Sequence, residues 1–146
     1  MRIIGLDVGD KTIGVAVSDA LLLTAQGRET IQRIGPRKDA DKIIALVREE
    51  NCKKVVVGLP LNLDGSDSVQ TQKVRQFTTL LENKLRSSAL QNVEVLFQDE
   101  RFTTSMAEQV LIQADLSRKR RKEVIDKQAA VIILQSYLDT MRMSTV

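Results

Sequence analysis

The chain has 146 residues, 42% hydrophobic and 28% charged, with a net charge of +3. These are the proportions of one soluble globular domain with room for a full core, and no apolar stretch approaches the roughly 20 residues of a membrane span. It has no histidine and a single cysteine, Cys52, which excludes Ser-His-Asp and Cys-His catalysis, a structural zinc site and an internal disulfide, and leaves carboxylates, lysine, hydroxyls or a hard metal such as magnesium to carry any chemistry.

The N-terminus enters a strand pattern directly, and no signal peptide is expected. Residues 2–8 and 12–18 read as two strands joined by a tight turn at Gly9, Asp10 and Lys11. Alternation puts Ile4, Leu6 and Val8 on one face of the first strand and Ile3, Gly5, Asp7 and Gly9 on the other. In the second, Ile13, Val15 and Val17 face one way and the small residues Thr12, Gly14, Ala16 and Ser18 the other. A third strand is expected within Leu22 to Ile34, disturbed by Gly27 and closed off by Pro36. Asp39 to Asn51 reads as a helix, with Ala40, Ile43, Ile44 and Val47 at helical spacing. Val55, Val56 and Val57, ending at Gly58, form a strand buried on both faces.

Leu59 to Ser68 is a loop with Pro60, Asn62 and an Asp64-Gly65 turn, and Ser66 or Ser68 caps the helix that follows, whose apolar stripe is Val74, Phe77, Leu81 and Leu85. Val93 to Gln98 is a strand that runs into Asp99-Glu100-Arg101. Thr103 to Ala114 is helical, with Ser105 and Glu108 at capping-box spacing. Ser117 then opens a basic loop, Arg118 to Lys122, and the last helix runs from about Glu123 to Met141, with residues 139–146 as a flexible tail on the single domain 1–146. Cys52, between a helix and a strand, has a packing role. The order is β-β-β-α-β-α-β-α-α, which predicts an α/β fold: a five-stranded mixed sheet with helices on both faces.

Three acids stand out against this pattern. Asp7 interrupts an apolar strand, where a carboxylate costs stability unless it is paired, and the glycines beside it leave room for a partner. It is either the seat of a divalent cation or a phosphate, or a hydrogen-bonded acid at a strand end. Asp99 and Glu100 follow a strand directly, and ligands of open α/β sheets collect beyond the carboxyl ends of parallel strands. Alternation turns these two apart, so only one of them can face Asp7. Asp126 heads a stripe through Ala130, Ile133 and Tyr137 that faces the core, although an acid in a first helical turn also complements the helix dipole. Clustered carboxylates repel, and a divalent metal cancels that repulsion. Two such ions roughly 4 Å apart can hold both oxygens of an in-line phosphoryl displacement, which makes phosphodiester hydrolysis the reaction class.

Around these acids, Lys11, Arg101 and Lys127 are either phosphate contacts or surface cations, and Arg118, Lys119, Arg120, Arg121 and Lys122 form either a phosphate-contacting loop or a solvated one. Asn62 contacts a backbone oxygen of a ligand or stabilises its own turn. Phe102 stacks on a base or packs beneath a helix. With three Phe, one Tyr and no Trp, recognition favours backbone and shape over base identity.

Gly5-Leu6-Asp7-Val8-Gly9-Asp10-Lys11-Thr12 through Asp19, then Val57-Gly58-Leu59-Pro60-Leu61-Asn62-Leu63-Asp64-Gly65, then Asp99-Glu100-Arg101-Phe102-Thr103-Thr104 resemble the three signatures of the bacterial YqgF family, also called RuvX. The likeness continues into Lys127, Ala129 and Ala130 beside Asp126 and spans about residues 1–138. It implies an RNase H-like fold and a cytoplasmic nuclease maturing the 5′ end of the small-subunit ribosomal RNA precursor. It also implies Asp7, Glu100 and Asp126 as catalytic metal ligands for Mg²⁺ or Mn²⁺, as two ions, with Asp99 the competitor of Glu100. The expected partner is nucleic acid, structured RNA ahead of branched DNA, with no membrane, and the protein a monomer or homodimer. Two alternatives stand beside this reading: a Holliday-junction resolvase-like DNA nuclease and a non-catalytic nucleic-acid-binding module. An actin-like ATPase shares the strand-Asp-x-Gly opening but needs two such lobes, and this chain suffices for one.

Overall fold

The computed structural model describes the backbone of residues 1–101 and 118–143 and the side chains of residues 1–101 and 128–142. β1 (Arg2–Val8) and β2 (Thr12–Ser18) form an antiparallel hairpin in which Asp7 faces Gly14 across the ladder. The expected third strand is two short pieces, β3 (Ala25–Gly27) and β4 (Ile31–Gln32), each antiparallel to β2. The break follows Gly27, which contributes no side chain to the ladder. The chain leaves with Arg28, whose amide bonds the Val15 carbonyl and whose guanidinium reaches Glu50. α1 (Pro36–Glu49) starts three residues before the predicted Asp39, because proline fits the first turn of a helix, where no amide hydrogen is needed.

β5 (Cys52–Leu59) lies parallel to β1, and β6 (Glu94–Asp99) lies parallel to β5, so the sheet order is β3-β2-β1-β5-β6 with β4 also on β2. Between them, α2 (Val69–Ser87) is capped by Ser68 in a reciprocal box with Thr71, and its predicted stripe of Val74, Phe77, Leu81 and Leu85 is buried. The last helix, α3, runs Arg118–Met143. It therefore includes the basic run expected as a loop, since Lys and Arg are good helix formers. It also continues through 139–143, where a tail was expected, with Met141 packed on the core. The predicted helix at Thr103 to Ala114, its capping pair and Phe102 lie outside the described residues.

Alternation in the strands makes two cores. Ile4, Leu6, Val8, Ile13, Val15, Val17, Val55 and Val57 pack against Ile43, Val47, Val74, Phe77 and Leu81 of α1 and α2. On the other face Ile3, Ala16 and Val56 pack against Ala130, Ile133, Leu134 and Leu138 of α3. Each fully buried aliphatic side chain contributes about 1.5–3 kcal/mol. Gly5, expected to leave room for a partner of Asp7, instead lets α3 approach: a Cβ there would lie 2.7 Å from Leu134 Cβ. Cys52 is buried, and burial pushes its thiol up to about 11, in keeping with packing. No helix among the described residues is long and apolar enough to cross a membrane.

Candidate active site

Because β1, β5 and β6 run parallel, their carboxyl ends lie side by side at one edge of the sheet. Asp7 is half-buried near the end of β1. It points to the α3 side: a Cβ on its ladder partner Gly14 would lie 3.5 Å from both Asp7 Cβ and Ala130 Cβ. One residue past β6, the Glu100 amide donates to the Leu59 carbonyl at the end of β5 (3.2 Å). The Glu100 carboxylate lies over Gly58 and against Ile133, on the same α3 face, and any Cβ at Gly58 would collide with both side chains. Gly58 was legible only as a strand end. A glycine inside an apolar strand is, in general, the signal for such a close approach.

The two candidates at the end of β6 are thus sorted by their surroundings. Asp99 is exposed and accepts from the Arg101 Nε (2.8 Å) and from the Arg101 amide (3.0 Å). The Arg101 guanidinium hydrogen bond, foremost, holds its carboxyl below the ordinary range despite some burial. Glu100 is half-buried, and its carboxyl is pushed up to about 7, first by burial, then by the negative charges of Asp7 and Asp99. Asp7 is therefore close enough to Glu100 for its charge to oppose ionisation of the Glu100 carboxyl. Two acids converging on a partly desolvated apolar face suit a hard divalent cation, whose charge removes that opposition. Among the described residues no group of three acids, histidines or cysteines meets.

Asp126 lies in α3 one turn before Ala130. Leu134 covers Gly5, and Ala130 covers Gly14 opposite Asp7. One further turn toward the start of α3 therefore leads past Asp7 toward the same edge of the sheet. The side chains of Asp126, Lys127, Arg118, Lys119, Arg120, Arg121 and Lys122 lie outside the described residues.

The remaining predicted residues divide. Lys11 is exposed at the hairpin turn. Arg101, besides Asp99, donates to the Leu63 carbonyl (3.3 Å), so it ties the end of β6 to the loop after β5. The Asn62 amide group donates to Ser66 Oγ (3.0 Å) and the Asp67 carbonyl (3.4 Å), while its backbone closes the turn with Ser66 and Gly65. Of the two readings for Asn62, turn stabilisation is the one its contacts fit. One residue had no expected role: Arg33, which reaches the hairpin turn from behind and donates to the Gly9 carbonyl (2.8 Å).

A model of the RuvX family, described as a Holliday junction resolvase, matches residues 1–140. A protein of Clostridioides difficile (strain 630) named "Putative pre-16S rRNA nuclease" is 51% identical over 138 residues, 94% of this chain and 94% of that protein. A protein of the same name from Listeria innocua serovar 6a is 52% identical over 142 residues, 96% of this chain and 99% of its own length. Among solved structures, T. thermophilus RuvC in complex with a Holliday junction substrate is similar with a TM-score of 0.62 at 14% identity, covering 99% of this chain and 97% of that one. A second structure of Thermus thermophilus RuvC gives 0.57 at 14% identity, covering 99% and 98%. At that identity the likeness is one of fold, the RuvC-like RNase H fold.

Proposed function

The chain belongs to the RuvX family, and from that premise we propose that it is a cytoplasmic, metal-dependent nuclease that hydrolyses phosphodiester bonds at the 5′ end of the small-subunit ribosomal RNA precursor. The observation that carries this reading is the Glu100 carboxylate lying over Gly58 on the sheet face to which Asp7 also points, with that carboxyl pushed up to about 7 by burial and by its acidic neighbours. The names of the two relatives, each about half identical over nearly the full chain, supply the substrate.

Asp7, Glu100 and Asp126 would hold Mg²⁺ or Mn²⁺, as two ions. When bound, these supply Lewis acidity to the attacking water and to the leaving oxygen of an in-line displacement. The chain's own residues supply the geometry. β1 and β5 fix the spacing of the Asp7 and Glu100 carboxylates, and Gly58 lets Glu100 lie flat on the sheet. Ile133 closes the apolar side of the Glu100 carboxylate, which strengthens its electrostatic interactions. In the reaction a water oxygen bonds to phosphorus, the bond from phosphorus to the departing ribose oxygen breaks, and that oxygen takes up a proton. Lys11, Lys127 and the cations Arg118, Lys119, Arg120 and Arg121 at the start of α3 are assigned to backbone phosphates, which position the strand without reading its bases. Arg101 and Asn62 order the loop that borders the site.

Calorimetric titration with Mn²⁺ tests the metal assignment without any substrate. Wild type is expected to bind, with Asp7→Asn and Glu100→Gln each weakening the affinity at least about tenfold. Equal affinity in all three proteins would remove the assignment. The family description favours a second reading, resolution of a Holliday junction. A symmetric cut across a four-way junction needs two active sites and therefore a dimer. A protein that stays monomeric on junction DNA would speak for the RNA.

A further inference from the structure

We propose that Arg33 and Asp39 form a positioning pair for the nuclease site, gripping the β1–β2 turn from behind so that Asp7 and Lys11 are held in register. The pair lies on the sheet face opposite the candidate metal ligands. Asp39, in the first turn of α1, is wholly buried. Its Oδ1 accepts from the Ile34 amide (3.0 Å) and its Oδ2 from Arg33 Nε (3.0 Å). The rest of Arg33 is directed at the turn. Its Nη1 donates to the Gly9 carbonyl (2.8 Å), its backbone amide donates to the Lys11 carbonyl (2.9 Å), and its guanidinium sits 5.1 Å from the Phe77 ring centroid.

Stability alone does not explain this arrangement. A buried ion pair is often no more stable than an apolar pair of the same volume, because both charges lose their water. Asp39 is wholly out of water, whereas Arg33 keeps 18% side-chain exposure at a cavity it shares with Asp10, Pro36, Lys73, Gln76 and Phe77. What an apolar pair would not supply is a planar donor fork bonded at once to a buried carboxylate and to a turn carbonyl. Among the described residues the turn it holds has little else of its own: the Gly9 amide closes on the Thr12 carbonyl (2.9 Å). Gln70 and Lys73 of α2 add only longer contacts, to the Val8 carbonyl (3.3 Å) and to Asp10 (3.3 Å). Gly9 is two residues from Asp7, and Lys11 is in the turn itself. Movement of the turn is therefore movement of a candidate ligand and a candidate phosphate contact.

This inference rests on the nuclease reading for its effect on turnover, but the grip itself is read by amide exchange in the absence of substrate and metal. The test compares wild type with the apolar double variant Arg33→Met/Asp39→Leu and with Arg33→Lys, which keeps the charge but not the fork. The double variant is expected to keep cooperative unfolding while exchange in residues 8–12 speeds up by about tenfold or more. Arg33→Lys is expected to show the same local loosening, which keeps the test open if the double variant does not fold. On a cleaved RNA, kcat should fall by about 10²-fold with KM changed much less, since misplaced ligands slow the chemistry more than the binding. Wild-type exchange in residues 8–12 of both variants would overturn the proposal. So would faster exchange spread evenly over the whole chain, because that is what a merely structural pair would give. If wild type cuts no RNA, the nuclease reading fails, and the exchange result still decides whether the pair holds the turn.

Discussion

Glu100 carries its carboxyl near neutrality because it lies partly out of water, with Asp7 and Asp99 nearby. Its folded value, about 7, is above the ordinary 4.5, so the native state holds the proton more tightly than the unfolded chain. Without divalent metal, stability should fall as pH rises from 4.5 to 7 and stay lowered above that, by at most about 3 kcal/mol. Glu100→Gln, which cannot ionise, should therefore be the more stable protein at pH 8 and lose that advantage at pH 5, as read by urea unfolding at the two pH values. An advantage independent of pH would contradict burial and acidic neighbours as the cause. Gly58→Ala is expected to cost about 1–3 kcal/mol, because the new methyl group meets Glu100 and Ile133, and to weaken Mn²⁺ binding at the same time. Unchanged stability and unchanged Mn²⁺ affinity would mean that Glu100 does not need that surface. At this scale much was legible. Asp7 declares itself because a charge in an apolar strand has to be explained. Between Asp99 and Glu100, alternation says only that they diverge, and the choice of Glu100 came from the family resemblance alone. It took the Arg101 side chain, bonded to Asp99, to show which one is engaged elsewhere.

Among the elements, β1, β2, α2 and β6 lie within a residue or two of where periodicity put them, because each has a strong apolar repeat and a clear stop. The differences have local causes. Pro36 is a helix start that reads equally well as a chain break, and β3 and β4 are too short to show a period. The five cations from Arg118 to Lys122 look like a loop in one dimension, whether phosphate-contacting or solvated, yet they open α3. A helical backbone spaces charges along one rod rather than along a pliable loop, so the proposed nucleic-acid contact becomes a test of that rod. Replacing all five by Gln should lower the slope of log affinity against log salt by about 0.7 for each phosphate that is no longer neutralised on a single strand. A slope that does not change would place the start of α3 outside the footprint, and Lys11 and Lys127 would be left as the candidate phosphate contacts.

For the whole molecule, the deciding feature is that three parallel strands end together while α3 crosses the face on which Asp7 and Glu100 lie. The alternating β and α units of the second half made this architecture legible, because parallel neighbours need crossovers and their carboxyl ends collect ligands. Convergence of residues 7 and 100 follows from that topology, and helix spacing carries α3 from Ala130 back to Asp126. The substrate was not legible in the same way, because phosphate contacts carry no base identity and the RNase H fold serves both RNA and DNA. The family description speaks of junctions and the relatives' names speak of ribosomal RNA precursors. The most direct measurement sets precursor RNA with an unprocessed 5′ end beside a synthetic four-way DNA junction, with Mg²⁺ or Mn²⁺, for wild type and Asp7→Asn. The account predicts metal-dependent cleavage of the RNA by wild type and a loss of at least about 10²-fold in the variant. Equal cleavage by the two proteins, or cleavage that persists in a chelator, would contradict it.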